Sequence, residues 1–173
     1  MFSEKSLRAL SEHEIGVHML TTINSRLQPL YIFRLGMPLN THTQEGIAIL
    51  SEYLSGYMSI KRLQILALRV LTLEKLLKGL DFKQTFHFLM DTGKLDESQA
   101  FFMTARIFRG GGFTKDYLYL KGFRDLLRFY NCNNNIQSLL IGKTSIKYFN
   151  LINELNLLPN STFSELLLCI KKN

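Results

Sequence analysis

Apolar residues recur at intervals of three and four along most of this chain, which is the spacing of one face of an α-helix. The first such face, within residues 3–22, is formed by Leu7, Leu10, Ile15, Met19 and Leu20. We expect Ser6 or Ser11 to cap this helix. No series of alternating apolar and polar residues indicates a set of strands. The pattern therefore predicts a mainly α fold.

Capping and breaking residues divide the rest of the chain into further helices. Thr43, Asp81, Asp96 and Thr114 are of the types that accept hydrogen bonds from the first turn of a helix. We predict loops at residues 28–43 and 131–135, a turn at 91–93, and helices over 44–54, 59–78, 82–90, 97–108, 115–130, 145–157 and 163–170.

Length and composition indicate a globular protein. The chain has 173 residues, a net charge of +7 and 46% hydrophobic residues, which suits a single domain, 1–173, with a sizeable core. Its most apolar stretch, residues 63–77, is broken by charged residues, so we expect no membrane span. The N-terminus has no signal-peptide core, and Cys132 and Cys169 are far apart in sequence. We therefore expect reduced thiols in a cytoplasmic protein.

The positive charge does not by itself indicate a nucleic-acid partner. Lysines and arginines are spread along the chain, without an arginine-rich arm or zinc-finger spacing. We expect a solvated basic surface, or a preference for an acidic macromolecular partner.

The stretch His13-Glu14-Ile15-Gly16-Val17-His18 places two imidazoles and a carboxylate in one predicted helix. Neutral imidazoles bind zinc well, and a nearby glutamate can activate the water of a hydrolytic zinc site. The histidines are five positions apart, which on a straight α-helix turns their side chains about 140° apart. They converge if the helix is underwound, as in a π-bulge, or bends, and Gly16 permits such distortion. The alternative is a chance HExxxH pattern on a solvated helix.

A third ligand is needed to complete such a site. Glu45 is the best candidate, because it lies in the first turn of the helix predicted for residues 44–54. Gly46 would allow that helix to pack tightly on the first one. Glu52, two turns further along roughly the same face, competes as a ligand or could hold a ligand histidine by a hydrogen bond. Glu45 could instead be an ordinary carboxylate at a helix N-terminus.

These motifs resemble a known family when they are taken in order. The resemblance consists of HEIGVH at 13–18, TQEGIA at 43–48, SEYLSG at 51–56, RGG at 109–111 and FTKDYLYLKG at 113–122. The ordered set resembles the flavohaemoglobin expression-modulating QEGLA-motif proteins of bacteria, whose eukaryotic relatives are the microtubule-associated tyrosine carboxypeptidases.

The resemblance implies a zincin-like helical catalytic domain with an HExxxH helix and a downstream glutamate helix. His13, His18 and Glu45 would be the zinc ligands, and Glu14 the general base. The implied function is that of a zinc metallopeptidase of carboxypeptidase type, whose substrate is the C-terminus of a peptide or protein. Tyrosine removal belongs to the eukaryotic relatives and is not carried over.

Further residues are candidates for binding substrate or stabilising the oxyanion. Tyr119, then Tyr117 and His42, could donate a hydrogen bond to the oxyanion. Arg109, followed by Lys115, could bind a substrate carboxylate. The alternatives are that Arg109 caps its helix, that Lys115 is solvated and that the two tyrosines are core aromatics.

The family's members carry a substantial segment before the HExxxH helix, whereas twelve residues precede His13 here. We therefore expect this chain to be the C-terminal helical part of a larger catalytic domain, with one wall of the cleft in a missing segment or a partner chain. A non-catalytic binding or regulatory module that retains the metal motif is the alternative function.

Overall fold

A computed structural model describes residues 3–93, 95–110 and 115–157 of the chain, and helices make up most of these ranges. No residue in them belongs to a strand, so the predicted mainly α fold is confirmed. The α-helices are α1 (Glu4–His13), α2 (Leu20–Leu27), α3 (Ile32–Leu35), α4 (Asn40–Leu54), α5 (Ile60–Leu77), α6 (Phe82–Gly93), α7 (Glu97–Arg109), α8 (Asp116–Asn131) and α9 (Phe149–Glu154). A π-helix (Glu14–Met19) joins α1 to α2, and 3₁₀ turns span Ile136–Leu139 and Ile146–Tyr148.

The chain divides into two compact units. The first comprises residues 1–58 and 121–173, and the second comprises residues 59–120. The expectation that the chain is one domain within a larger catalytic domain stays a prediction. Residues 163–170, for which we predicted a helix, lie outside the described residues, as does Cys169.

In the first unit, the N-terminal helical segment is longer than the pattern predicted and begins at a different cap. Ser3, and neither Ser6 nor Ser11, precedes α1, and its hydroxyl accepts a hydrogen bond from the Ser6 backbone N–H. Helical structure then continues through the π-helix and α2 to Leu27. The buried face of this segment includes Val17 and Leu20, which belong to the core of the unit.

The helix that carries Glu45 begins earlier than its sequence suggests. It starts at Asn40, after Leu39 in the left-handed region at φ 64°, so the predicted cap at Thr43 was wrong. Thr43 lies within the helix instead, where its buried hydroxyl accepts a hydrogen bond of 2.9 Å from the Ile146 backbone N–H. This contact ties the start of α4 to the segment that precedes α9.

Two glycines allow α4 to lie directly against the first-unit part of α8. A methyl group added to Gly46 would come within 2.7 Å of the Gly122 backbone, and one added to Gly122 would come within 2.5 Å of the His42 carbonyl oxygen. The prediction that Gly46 allows close packing on the first helix was therefore wrong, because the close neighbour is α8. The contact positions the first half of α4, which includes Glu45.

The second unit contains α5, α6 and α7, and the caps predicted at Asp81 and Asp96 are confirmed. The side chains of Ser59, Asp81 and Asp96 each accept a hydrogen bond from a backbone N–H in the first turn of the helix that follows. The core of the unit consists of Leu68, Leu89, Leu95, Ala100 and Met103, with Ile65, Phe86, Phe88 and Met90 packed against them. The three-helix arrangement thus follows from the apolar faces of these segments.

Two details of the second unit differ from or extend the sequence prediction. Residues 91–93 form the last turn of α6 and not a separate turn. Asp116, at the start of α8, is buried and accepts hydrogen bonds of 2.8 and 3.1 Å from Arg106, with Arg69 at 3.5 Å. The predicted cap of α8, Thr114, lies outside the described residues.

None of the helices in the described residues has the length and apolar character that crossing a bilayer requires.

Candidate metal centre

The π-helix brings the two histidines of the HExxxH motif together. His13 is the last residue of α1 and His18 lies in the π-helix, where backbone hydrogen bonds join residues five apart. The centroids of the two imidazole rings are 5.0 Å apart, and the rings are steeply inclined at 73°. The local underwinding predicted from the five-residue spacing is therefore confirmed.

Glu45 reaches both histidines from α4. Its Oε2 atom lies 3.5 Å from Nε2 of His13 and 3.6 Å from Nε2 of His18. His13 and Glu45 are buried, whereas the His18 side chain is 29% exposed. The cluster is thus closed on one side and open to solvent beside His18.

These separations match the requirements of a tetrahedral metal ion. Ligand atoms placed about 2.1 Å from a tetrahedral zinc ion are about 3.4 Å from one another. In the cluster, one ligand atom from each of His13, His18 and Glu45 lies within 4.8 Å of the other two. Two imidazoles and one carboxylate are also the donor set of one class of hydrolytic zinc site, in which the fourth position is left for water or substrate. The three side chains could therefore hold a metal ion.

Glu52 orients the first histidine. Its Oε1 atom lies 2.8 Å from Nδ1 of His13, with both side chains buried. Because a carboxylate only accepts, Nδ1 donates the hydrogen bond, and this leaves Nε2 directed at Glu45. Of the two roles that the sequence left open for Glu52, the structure places it as the hydrogen-bond partner of a histidine.

Two carboxylates also decide the charge of His13 in the absence of a metal. Burial lowers the pKa of His13, but the hydrogen bonds and negative charges of Glu45 and Glu52 outweigh burial and raise this pKa to about 9. The metal-free imidazole is therefore protonated at neutral pH, and the proton compensates two buried carboxylates.

The other first-unit residues singled out from the sequence lie beside this cluster in the chain. Glu14, the predicted base, is the first residue of the π-helix and is exposed. His42 lies in the first turn of α4, and its Nε2 atom is 3.2 Å from the Asp125 carboxylate of α8. Burial lowers the pKa of His42, with a further lowering from Lys121 and an opposing effect from Asp125. Their catalytic roles stay predictions.

The remaining candidates belong to the second unit. Arg109 is the exposed last residue of α7, where its charge favours the helix C-terminus. The Nζ atom of Lys115 lies 5.7 Å from the centre of the Tyr119 ring. Tyr117 is 41% exposed and Tyr119 is half-buried, so neither is a fully buried core residue. The roles proposed for these four residues also stay predictions.

One contact near the cluster had no counterpart in the sequence reasoning. Gln44, directly before Glu45, is buried and lies 2.9 Å from the Thr21 hydroxyl, three residues after His18. The sequence signal for this contact was Gln44 itself, the first residue of the QEGIA stretch at 44–48. It was missed because a glutamine side chain is neither a usual metal ligand nor an acid–base group.

Comparisons with known proteins agree with the motifs. No curated protein and no solved structure matches the chain. The family model described as microtubule-associated tyrosine carboxypeptidase does match, over residues 1–160, and so covers both histidines, Glu45 and Glu52. The chain therefore belongs to the microtubule-associated tyrosine carboxypeptidase family.

Proposed function

We propose that this chain carries the metal centre of a zinc-dependent peptidase of carboxypeptidase type. The single observation that carries the proposal is the convergence of His13, His18 and Glu45 at distances of 3.5 and 3.6 Å, in a member of a carboxypeptidase family. The orienting contact from Glu52 supports it, because metal-bound histidines usually donate their second N–H to such a partner.

In the proposed mechanism, each residue has a separate task. His13, His18 and Glu45 hold the ion, which would polarise the scissile carbonyl and acidify a water molecule. Glu14 takes up the proton of the attacking water and passes it to the leaving amine. Its exposed position beside His13 supports this assignment, because a carboxylate that exchanges protons with substrate must be accessible.

The assignments in the second unit rest on the chemistry of the side chains. Tyr119, and after it Tyr117, would donate a hydrogen bond to the oxyanion. Arg109, with Lys115 second, would bind the C-terminal carboxylate of the substrate. The substrate is a peptide or protein C-terminus. Membership of the QEGLA branch and a cytoplasmic location stay predictions from the sequence.

Metal analysis tests the proposed centre directly. We expect one zinc ion per purified chain and none in a His13→Ala, His18→Ala double variant, with His87→Ala as a matched control, because His87 lies in the second unit and is exposed. An unchanged zinc content in the double variant would disprove the site.

A peptide library separates catalysis from a purely structural metal site. We expect zinc-dependent release of C-terminal residues by the wild type and loss of this activity, with zinc retained, in Glu14→Gln. Zinc binding without any cleavage by the wild type would favour the non-catalytic binding or regulatory module.

A further inference from the structure

We propose that Gln44 and Thr21 form a positioning pair that holds Glu45 at the distance from His18 that a shared metal ion requires. The inference rests on the metal site proposed above and extends it to residues that are neither ligands nor acid–base groups.

The two side chains join the two elements that carry the ligands. Gln44 precedes Glu45 in α4, and Thr21 follows His18 by three residues at the start of α2. Both residues are buried, with exposed fractions of 6% and 1%, and the Thr21 hydroxyl lies 2.9 Å from Oε1 of Gln44. A buried hydrogen bond therefore connects Gln44, the neighbour of Glu45, to the helical turn that follows His18.

The orientation of the Gln44 amide follows from its second partner. Nε2 of Gln44 donates a hydrogen bond of 3.2 Å to the Gly142 carbonyl, which can only accept. Oε1 must then face Thr21, whose single hydroxyl proton it accepts in competition with the carbonyl oxygens of Val17 and His18. Because both ends of the amide are engaged in a buried setting, turning this side chain would leave polar groups unsatisfied. The amide is thus a fixed spacer between α4 and α2.

The same hydroxyl also contacts the backbone of the π-helix. Thr21 Oγ1 lies 2.9 Å from the Val17 carbonyl oxygen and 3.1 Å from that of His18 itself. Glu52 already orients His13, whereas His18 is the half-exposed member of the cluster. The Thr21–Gln44 pair therefore supports the second histidine, as Glu52 supports the first.

Near-isosteric variants of the full chain test this pair. Gln44→Met and Thr21→Val each remove the hydrogen bond while keeping most of the volume. We expect either change to weaken zinc affinity on the order of tenfold. This lies at the lower end of the loss seen when a group that orients a metal ligand is removed. We also expect a shifted absorption spectrum after substitution of Co²⁺. The double variant should lose less affinity than the sum of the two single losses, because the bond that the two side chains share can be lost only once.

The matched control is Asn24→Leu. Asn24 also lies in α2, is fully buried, and donates a hydrogen bond of 2.8 Å to the Leu140 carbonyl, but this bond does not reach α4. We expect this variant to lower thermal stability while leaving zinc affinity and the Co²⁺ spectrum as in the wild type. Thr21→Ser, which keeps the hydroxyl, should retain wild-type affinity, so the comparison of Thr21→Val with Thr21→Ser still tests the pair if Gln44→Met does not fold.

The outcomes separate this inference from the metal site itself. Wild-type affinity and an unshifted Co²⁺ spectrum in Thr21→Val would overturn the positioning role while leaving the site intact, and so would additive losses in the double variant. A wild type that binds neither zinc nor Co²⁺ would overturn both.

Discussion

At the scale of single residues, the candidate centre is governed by the balance between burial and charge. Glu45 and Glu52 are both buried, and His13 lies between them. A buried carboxylate without a compensating charge is strongly destabilising, so each of the two needs a cation or donor within reach. His13 provides this in the metal-free chain, and a divalent ion would provide it more strongly through Glu45.

The role of Glu52 can be measured separately from that of the ligands. We expect Glu52→Ala to weaken zinc affinity by about 10- to 100-fold, because His13 loses the acceptor that directs its Nε2 atom at the site. Glu52→Gln, which keeps an oxygen acceptor, should weaken it less. The affinities can be determined by competition with a chromophoric chelator, and equal losses in both variants would contradict an orienting role.

The buried ion pairs of the second unit make a residue-scale prediction about stability. Asp116 is 2% exposed and faces Arg106 and Arg69. Asp116→Asn should lower the free energy of unfolding by about 3 kcal/mol, because it leaves two partly buried guanidinium groups without their carboxylate. Chemical denaturation measures this.

The control for Asp116 is the exposed pair of Glu74 and Lys78 on α5. We expect Glu74→Gln to leave the denaturation midpoint almost unchanged, since exposed ion pairs contribute little. Similar midpoints for the two variants would show that burial of Asp116 does not matter.

At the scale of elements, capping was predictable in the second unit, and close packing was not. Asp81 and Asp96 cap their helices as predicted, because a cap depends on residues within one turn, whereas the caps predicted at Ser6 or Ser11 and at Thr43 were wrong. The underwinding between His13 and His18 was also predictable, since it follows from ligand chemistry and spacing. The partner of Gly46 was not, because it requires knowledge of where α8 crosses α4.

Two further differences have the same origin. Residues 91–93 read as a turn, yet α6 continues to Gly93, where an added methyl group would lie 3.1 Å from the Leu68 side chain. Leu39 precedes α4 although leucine is a poor cap. Both places make contacts distant in sequence, at Gly93 with Leu68 and near Leu39 through the Met37 backbone N–H, which donates a hydrogen bond of 2.9 Å to the Lys143 carbonyl oxygen. Such contacts are also the reason why the sequence left the choice between Glu45 and Glu52 as ligand open.

The crossing of α4 and α8 gives a prediction at this scale. Gly46→Ala should lower the free energy of unfolding by about 2 kcal/mol, because its methyl group would overlap the Gly122 backbone, which cannot move aside as a side chain can. Zinc affinity should fall as well, since Glu45 lies on the same turn. Both quantities can be measured on one preparation by denaturation and chelator competition.

Gly56, just after α4, is the matched position for that variant. It has φ 76° and no atom within 4 Å of an added methyl group. Gly56→Ala should therefore cost about 1 kcal/mol through backbone strain alone and leave zinc affinity unchanged. An equal effect at Gly46 and Gly56 on both quantities would count against the close contact.

At the scale of the whole molecule, the ligands belong to one unit only. His13, His18, Glu45 and Glu52 all lie in the first unit, so ligand binding should stabilise that unit first. Zinc at about a thousand times its dissociation constant would contribute roughly 4 kcal/mol. We expect hydrogen exchange with zinc to slow in α1, the π-helix and α4 more than in α5, α6 and α7.

The double variant His13→Ala, His18→Ala provides the reference for this measurement. Its exchange pattern should be the same with and without zinc. Equal protection of all helices in the wild type would indicate that the two units unfold as one cooperative body.

The π-helix has a consequence for how this protein could have arisen. It amounts to one extra residue in an otherwise regular helix, and every side chain after it is rotated by about 100° relative to an uninterrupted α-helix. Deleting one residue between His13 and His18 would leave the histidines at the ordinary spacing of four. The buried Leu20, Thr21 and Asn24 would keep their direction, because the π-turn that absorbs the extra residue would be lost together with it. Straightening the π-helix into a regular α-helix without a deletion would instead separate the two histidines and turn Leu20, Thr21 and Asn24 away from the core, so the extra residue and the underwinding depend on each other.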